Sequence, residues 1–600
     1  VTPSPRLGLL SWWLLAALTA PADAQVDTLP ADSIRADSAP AAAHADSLRR
    51  DSATLFLPTM PPSLVPGPLP WGARHVFNAD SLLFTGALTL GDVLVRVPGV
   101  YVARAGYYGQ AEPLFYGGRG AAGIELYWDG VPYVPLGRDS VFLDVARIPL
   151  APLERIEVLT SPDRVRVHLV TARPADTQPR TLIGIATGRF EFANYRAGFS
   201  RRWRSGFGLS LLADYNNIEG DPEATTDFRG TDLWLKLDFV PRPTLGASFQ
   251  VVRSSWRRDG RSNVVDAWSP ARRDDSFQAF VGSRADGLGW RLHGIASRAR
   301  SDGDSTSAPD ELLQGQLELS HRGTRAAAAL TGRLASDHRR RELEGQAGWV
   351  LLPWLDLAGS ARLTGHPGGR DARRLAASVG LRLPLGFAAR GEVVRSWQLA
   401  APALAADTLQ RTDDWLGAIR WDSRWGTIEV ARAERDPFHP LGFPRGIRPL
   451  AELGRTPRTR ALLVNAAIRP LPGLTLSTAF SDPFQGGGDF DPPRHARYAA
   501  TFFSKFWRVY RSGVFALRAE VAAESWSTGL GGVARDSLGQ TSQAPLAGAT
   551  FLDLQVDIQI VGVTIFWQMR NAAAMRGGYV SGLTYPRVVQ FYGARWAFTN

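Results

Sequence analysis

The sequence predicts an all-β transmembrane barrel of about 22 antiparallel strands, with a small mixed α/β domain seated in its lumen. Three observations lead there. From Thr181 onward, apolar and polar residues alternate with period two again and again, with no long helical tract. The connections between these segments alternate between short turns and long loops. Ahead of them, Leu88 to Thr171 carries short strand and turn signals that make a compact unit, too small for a large core of its own.

The alternation is cleanest at Leu552 to Ile560, where Leu552, Leu554, Val556, Ile558 and Ile560 face one way and Asp553, Gln555, Asp557 and Gln559 the other. After a short turn near Gly562, Val563 to Arg570 repeats it, as do Leu313 to Ser320 and Asp232 to Phe239. A soluble sandwich also has half-buried strands. Ionisable groups opposite a continuous apolar row are what a lipid-facing barrel with a wet interior requires.

Strands are expected near 181–190, 193–203, 205–216, 230–240, 243–256, 274–285, 287–298, 311–321, 324–335, 342–351 and 355–364. The second half gives 371–383, 385–397, 412–421, 426–433, 458–469, 473–480, 494–505, 511–524, 549–560, 563–570 and 585–598. The total is even, as bacterial barrels require, and short turns on one side with long loops on the other is the outer-membrane arrangement. Closure also satisfies every backbone amide in hydrocarbon, which an open sheet cannot do. Trp349, Trp354, Trp567 and Trp596 can supply interfacial belts, or be ordinary strand aromatics. Tyr592, Ala594, Trp596 and Phe598 share one face of the last strand.

Residues 1–24 read as an export signal: Arg6, an apolar run from Leu7 to Leu18, and the small-x-small site Ala22-Asp23-Ala24. Residues 25–73 repeat Ala, Asp and Ser and become proline-rich, so they cannot bury enough to fold alone. A disordered linker is expected here, or an arm that offers a short strand to a partner; Thr54, Leu55, Phe56 and Leu57 are the candidate coupling segment.

Within the small domain (74–174), apolar spacing over Leu88 to Val95 predicts a short helix with Asp92 near its positive end, stopped by Pro98-Gly99. Strands are expected at Val100–Ala103, Leu114–Tyr116, Ile124–Trp128, Val131–Val134, Leu153–Leu159 and Val165–Thr171. Gly117-Gly118-Arg119-Gly120 is a turn that glycines enter cheaply, and Asp129-Gly130 is a hairpin signal.

The ordered fragments VPGV (Val97 to Val100), YGGRG (Tyr116 to Gly120), LYWDGVP (Leu126 to Pro132), LERIEVL (Leu153 to Leu159) and VHLVT resemble the plug domain of TonB-dependent outer-membrane receptors of Gram-negative bacteria. The resemblance covers about Arg74 to Pro174; residues 181–600 match the family's 22-stranded barrel by pattern. On the plug motif it places Pro98, Gly99, Arg119, Gly120, Asp129, Gly130, Pro132, Glu154, Arg155 and Glu157. It departs from the family in a short plug and in the lack of a clear TonB-box pentapeptide upstream. Arg119, Asp129, Glu154, Arg155 and Glu157 are expected to pair with the polar inner wall, the alternative being ordinary surface charges.

The resemblance implies a monomeric receptor in the cell outer membrane, among outer-membrane lipids and lipopolysaccharide. It would import a scarce siderophore, cobalamin, glycan or peptide, driven by a TonB-type inner-membrane protein. The alternatives are a plugged binding or structural barrel without energy coupling, and a passive channel, which the plug argues against. No cofactor is expected. The 600 residues contain no cysteine, and the nine histidines show no metal-binding spacing, so neither catalysis nor a metal site is expected. The net charge of +11 is almost all arginine, spread over strands and loops instead of gathered on a helix, which argues against nucleic-acid recognition. Such arginines suit an anionic solute or lipopolysaccharide phosphates.

Overall fold

A computed structural model describes residues 55–61 and 74–599, apart from 85, 107, 138–140, 220–226, 260–270, 304–308, 337–339, 367–369, 401–408, 443–446, 448–449 and 507–513. The export signal, most of the arm and Thr54 lie outside the described residues.

Strands from Arg180–Gly188 to Val589–Thr599 close into a barrel of 22 strands, each antiparallel to its neighbours, with the last paired to the first from Thr599↔Arg180 to Phe591↔Gly188. Each expected strand corresponds to one of these, with ends shifted by a few residues. Alternation sets which way side chains point. On Ala549–Ile560, Gln555 and Asp557 are buried toward the lumen while Val556 and Ile558 face outward. Large apolar side chains exposed around the outer surface, among them Leu233, Phe277, Leu317, Leu343, Leu363 and Ile565, make the belt that lipid requires.

The short turns lie at one rim. Val561 and Gly562 join two strands with φ of 46° and 84°, the left-handed pair that a two-residue hairpin needs. Trp290, Trp349, Trp354, Trp425 and Trp596, all about half exposed, sit at this rim as an aromatic girdle. The opposite rim carries the long loops. Two of these contribute a further three-stranded sheet, Leu450–Glu452, Gly529–Arg535 and Thr541–Leu546, in stretches expected to be plain loop.

Inside the barrel, five strands form one sheet in the order Arg74–Asn78, Leu153–Thr160, Val165–Thr171, Ile124–Trp128, Val131–Pro132. Ile124–Trp128 and Val165–Thr171 run parallel; the other pairs are antiparallel. Val100–Val102 and Leu114–Tyr116 make a separate hairpin. The strand Arg74–Asn78 and the helix Ala79–Phe84 add to the expected elements, and the return strand after Gly130 ends at Pro132, not Val134. The expected helix is shorter, Leu90–Leu94, because Thr89 caps it: Thr89 Oγ1 accepts from Asp92 N, and the Asp92 carboxylate accepts from Thr89 N. The plug core of Leu90, Val93, Leu94, Val158, Val167 and Leu169 continues onto Leu212, Trp234 and Val252 of the wall, so the small domain completes its core against the barrel.

Candidate functional site

The plug is seated by polar contacts of two kinds. At the Asp129-Gly130 turn, φ values of 44° and 86° form the tight hairpin, and the Asp129 carboxylate accepts from Thr171 N at 3.0 Å and Thr171 Oγ1 at 2.5 Å. Wall amides then hold the hairpin: Gln250 Nε2 donates to Asp129 Oδ2 and Gln278 Nε2 to its carbonyl, both at 3.0 Å, and Gln314 Nε2 to the Pro132 carbonyl at 3.2 Å. Lys236 Nζ reaches Thr171 Oγ1 at 2.9 Å.

A second set of contacts is ionic. Glu125 of the plug is shared by Arg164 and Arg166 of the plug and by Arg362 of the wall at 2.7 Å. Glu344 of the wall binds Arg166 at 2.8 Å and Arg362 at 3.3 Å. Asp163 pairs with Arg374 of the wall at 2.8 Å. Burial would raise the Glu125 and Asp163 carboxyls, but the surrounding guanidiniums win and hold both well below the usual carboxylate range. A second knot joins Asp92 to Arg104 at 2.8 Å and to Arg570 of the wall at 3.0 Å, with Glu112 on Arg104 at 3.0 Å. Here burial and the nearby Asp92 push Glu112 up to about 7, while Arg104 and the Thr89 hydroxyl pull the other way.

The glycine turn after Tyr116 explains its own composition. Gly117, Gly118 and Gly120 have φ of 55°, 67° and 56°, and a Cβ on Gly117 would lie 2.6 Å from the Arg435 guanidinium. The turn delivers Arg119, 1% exposed, to Asp414 of the wall at 2.6 Å, with its guanidinium 4.9 Å from the Phe438 ring centroid. Pro98 and Gly99 end the Leu90–Leu94 segment; Gly99 has φ of 82° and packs against Tyr116 and Leu463.

Of the five charges expected at the wall, Arg119 and Asp129 reach it. The other three pair closer to home. Glu154 binds Arg173 through Nε at 2.8 Å, and Glu157 is shared by Arg155 at 2.8 Å and Arg74. Their strand lies in the interior of the plug sheet between Arg74–Asn78 and Val165–Thr171, which sets partners from the plug itself beside them. Sequence reading passed over Glu125, Arg164, Arg166 and Arg104. Its one available signal was the charged alternation in Asp163 to Val167, opposite an arginine-rich wall.

The candidate coupling segment is docked against the chain that leaves the plug. Phe56 bridges to Asp176, Leu57 N donates to the Ala175 carbonyl at 2.7 Å, and Thr177 N to the Leu55 carbonyl at 3.1 Å. Met60 follows, buried between Val240 and Phe280 at the short-turn rim.

A cavity of about 500 Å³ lies between the plug and the wall on the ionic side. Tyr133, Val134, Leu136 and Phe142 of the plug make an apolar bank, facing Glu125, Arg333, Glu342 and Arg362. Its lining reaches Asp310, Ser336, His366 and Leu399, which flank long loops, so it belongs to the long-loop end. Among the described residues, no cluster of potential ligands could hold a metal ion.

Residues 72–167 match the family model described as TonB-dependent Receptor Plug Domain. That domain sits here within a closed 22-stranded barrel. The chain belongs to the TonB-dependent receptor family. This receptor's fold is also that of the ferric enterobactin receptor PfeA from Pseudomonas aeruginosa, at a TM-score of 0.68 and 12% identity, over 88% of this chain and 98% of that one. The FrpB iron transporter from Neisseria meningitidis aligns at 0.69 and 9% identity over 88% and 99%, and the copper transporter OprC at 0.68 and 11% over 88% and 100%. A match of another kind is 30% identical over 225 residues to a Gloeobacter violaceus protein described as Holliday junction branch migration complex subunit RuvA, covering 37% of this receptor and 98% of that protein. It spans too little of the receptor to include both plug and barrel, and those two together decide the family.

Proposed function

We propose that this receptor is an energised importer of the outer membrane. A scarce ligand binds from the long-loop side, a TonB-type protein of the inner membrane pulls on the arm, and the plug shifts to open a path. The observation that carries this reading is a plug held in a wide lumen, among the described residues, through side-chain contacts with the wall, beside a cavity at the long-loop end. Polar contacts of this kind exchange for water when the plug moves, whereas a covalently filled or collapsed lumen could not open. The solved relatives described as siderophore, iron and copper proteins favour a metal chelate among the ligand classes; cobalamin, glycans and peptides belong in the same screen.

A second reading, a plugged binding barrel without energy coupling, draws support from the docked Leu55–Leu57 segment, whose strand edge is already engaged by residues 175–177. One experiment separates them. A deletion strain is screened for growth and uptake across iron and copper chelates, cobalamin, glycans and peptides, with and without TonB. The importer requires uptake of at least one ligand that disappears without TonB. Equal uptake in both backgrounds refutes it, and surface binding without uptake establishes the second reading.

A further inference from the structure

The five-stranded plug sheet has two unlike faces. Leu126, Trp128, Ile156, Val158, Val167 and Leu169 make one, which belongs to the core that runs on into Leu212, Trp234 and Val252 of the wall. On the other, the register sets Tyr127 and Glu157 on either side of His168, with Glu125 beside Arg166. This polar face is turned to the wall strands Ala326–Ala335, Arg341–Leu352 and Leu355–His366. Beyond the Arg166–Glu344 and Glu125–Arg362 pairs, Arg362 Nη2 donates to the Tyr127 hydroxyl at 3.1 Å, and the Arg333 guanidinium lies 5.5 Å from the Tyr127 ring centroid.

Hydrogen bonding across these two polar surfaces is incomplete. His293, Glu318 and Thr331 stand side by side on three neighbouring wall strands and point into the lumen. His293 Nε2, Glu318 Oε2 and Thr331 Oγ1 have no hydrogen-bond partner among the described residues, nor do Gln316 Nε2 and the two ring nitrogens of His168. All five side chains are at most 8% exposed. Glu344, directly opposite Thr331, and Arg333 are among the charges that act on His168. Buried polar atoms are nearly always satisfied, so a patch of unpaired ones marks a place built for something else to bind. The patch joins the cavity: Arg333 lines that cavity, and its Nε donates to Gln316 Oε1 at 2.8 Å. Gln314, Gln316 and Glu318 then lead along one strand from the cavity toward the short-turn rim.

We infer that this patch is the waist of a passage for a hydrophilic solute, opened when the polar face of the plug sheet parts from these strands while the apolar seam on Leu212, Trp234 and Val252 stays closed. The passage rests on the importer reading for its driving force and not for its position. Exposing an apolar seam to water costs free energy in proportion to its area, whereas polar contacts are exchanged for contacts with water or solute at a small net cost. The polar face therefore yields first. Nearer the long loops Leu136 packs on Ala299 and Leu312, an apolar contact that the opening has to break. The unpaired atoms also define the solute. Gln316 Nε2 only donates, an ionised Glu318 only accepts, and the threonine hydroxyl and imidazole nitrogens take either role. A solute rich in both donors and acceptors satisfies them, and an apolar one leaves them unpaired.

The chain contains no cysteine, so a single introduced thiol reports on one place. Thr331→Cys and His168→Cys probe the passage, and Leu212→Cys and Val252→Cys probe the seam, where the native side chains are also buried. Each full-length variant, shown to be folded by unheated and boiled gel mobility, is labelled in detergent with N-(2-hydroxyethyl)maleimide, a small neutral hydrophilic reagent. The passage thiols are expected to react at least about tenfold faster than the seam thiols, because labelling follows the ease of local opening. Equal rates, or faster labelling at the seam, overturn the proposal. The same reagent is then applied to cells with and without TonB. Acceleration by TonB at the passage alone supports the swinging plug, and equal acceleration at all four sites means that the plug leaves as a whole and overturns it. Faster passage labelling that ignores TonB supports the passage while removing the energised importer.

Discussion

Replacing Arg119 with methionine tests whether the plug is locked by buried charge. Arg119 and Asp414 are both nearly inaccessible, and their 2.6 Å contact joins plug to wall. The change leaves the Asp414 carboxylate buried, with the Asp436 amide at 2.8 Å still donating to it. Removing one partner of a buried pair costs about 3–5 kcal/mol. The surviving amide bond places this case toward the lower end. Arg119→Met/Asp414→Leu removes the stranded charge too, so the double variant should cost clearly less than the sum of the singles, with a coupling of about 2 kcal/mol or more. The assay is native-state hydrogen exchange at the amides of Tyr116 to Gly120, which reports the free energy of opening that turn. Single variants costing under about 1 kcal/mol, with additive effects, would refute the idea that this pair pins the plug.

Four further outcomes are expected. Val556→Arg, on the outer face opposite Ala519 and Trp567, should cost about 2–4 kcal/mol in reversible folding into vesicles if it lies near the midplane, and Gln555→Arg much less; equal penalties would invert the inside–outside assignment. Deleting residues 74–174 should give large, steady conductance in planar bilayers where the intact protein is nearly closed, and an unchanged recording would count against a lumenal plug. Leu55→Pro removes the amide that donates to Thr177 Oγ1 at 3.3 Å, and should abolish TonB-dependent uptake while sparing surface binding; unaffected uptake moves the coupling segment elsewhere. Because Glu112 is raised to about 7, its stabilisation of the seated plug is present at acid pH and is lost as pH rises toward and through 7. Exchange protection around it should therefore fall from pH 5 to pH 8, and Glu112→Gln should flatten that slope.

The barrel was legible because its signals are local. Alternation at Leu552 to Ile560 and a turn at Val561-Gly562 are decided within a dozen residues, and lipid on one side with polar contacts on the other enforces the pattern strictly. The three-stranded loop sheet was not legible, because Leu450–Glu452 pairs with Gly529–Arg535, a strand from a different loop, and nothing in either stretch announces the other. Charge partners failed for the same reason. The YGGRG turn marks Arg119 as special, but Asp414 lies 295 residues away. Glu154, Arg155 and Glu157 look alike in sequence to residues that reach the wall; only their place inside the plug sheet sends Glu154 to Arg173, and Glu157 to Arg155 and Arg74.

The seam between Arg180–Gly188 and Val589–Thr599 has a kinetic consequence. The strand that follows the plug finds its second partner only in the last strand, so the ring can be completed only after every intervening hairpin exists. Joining ends so distant costs loop entropy that grows slowly with length, but it puts the slowest contact at the end of assembly. Until that moment the sheet has two bare edges, and a chain stalled there would be the species that aggregates or is degraded.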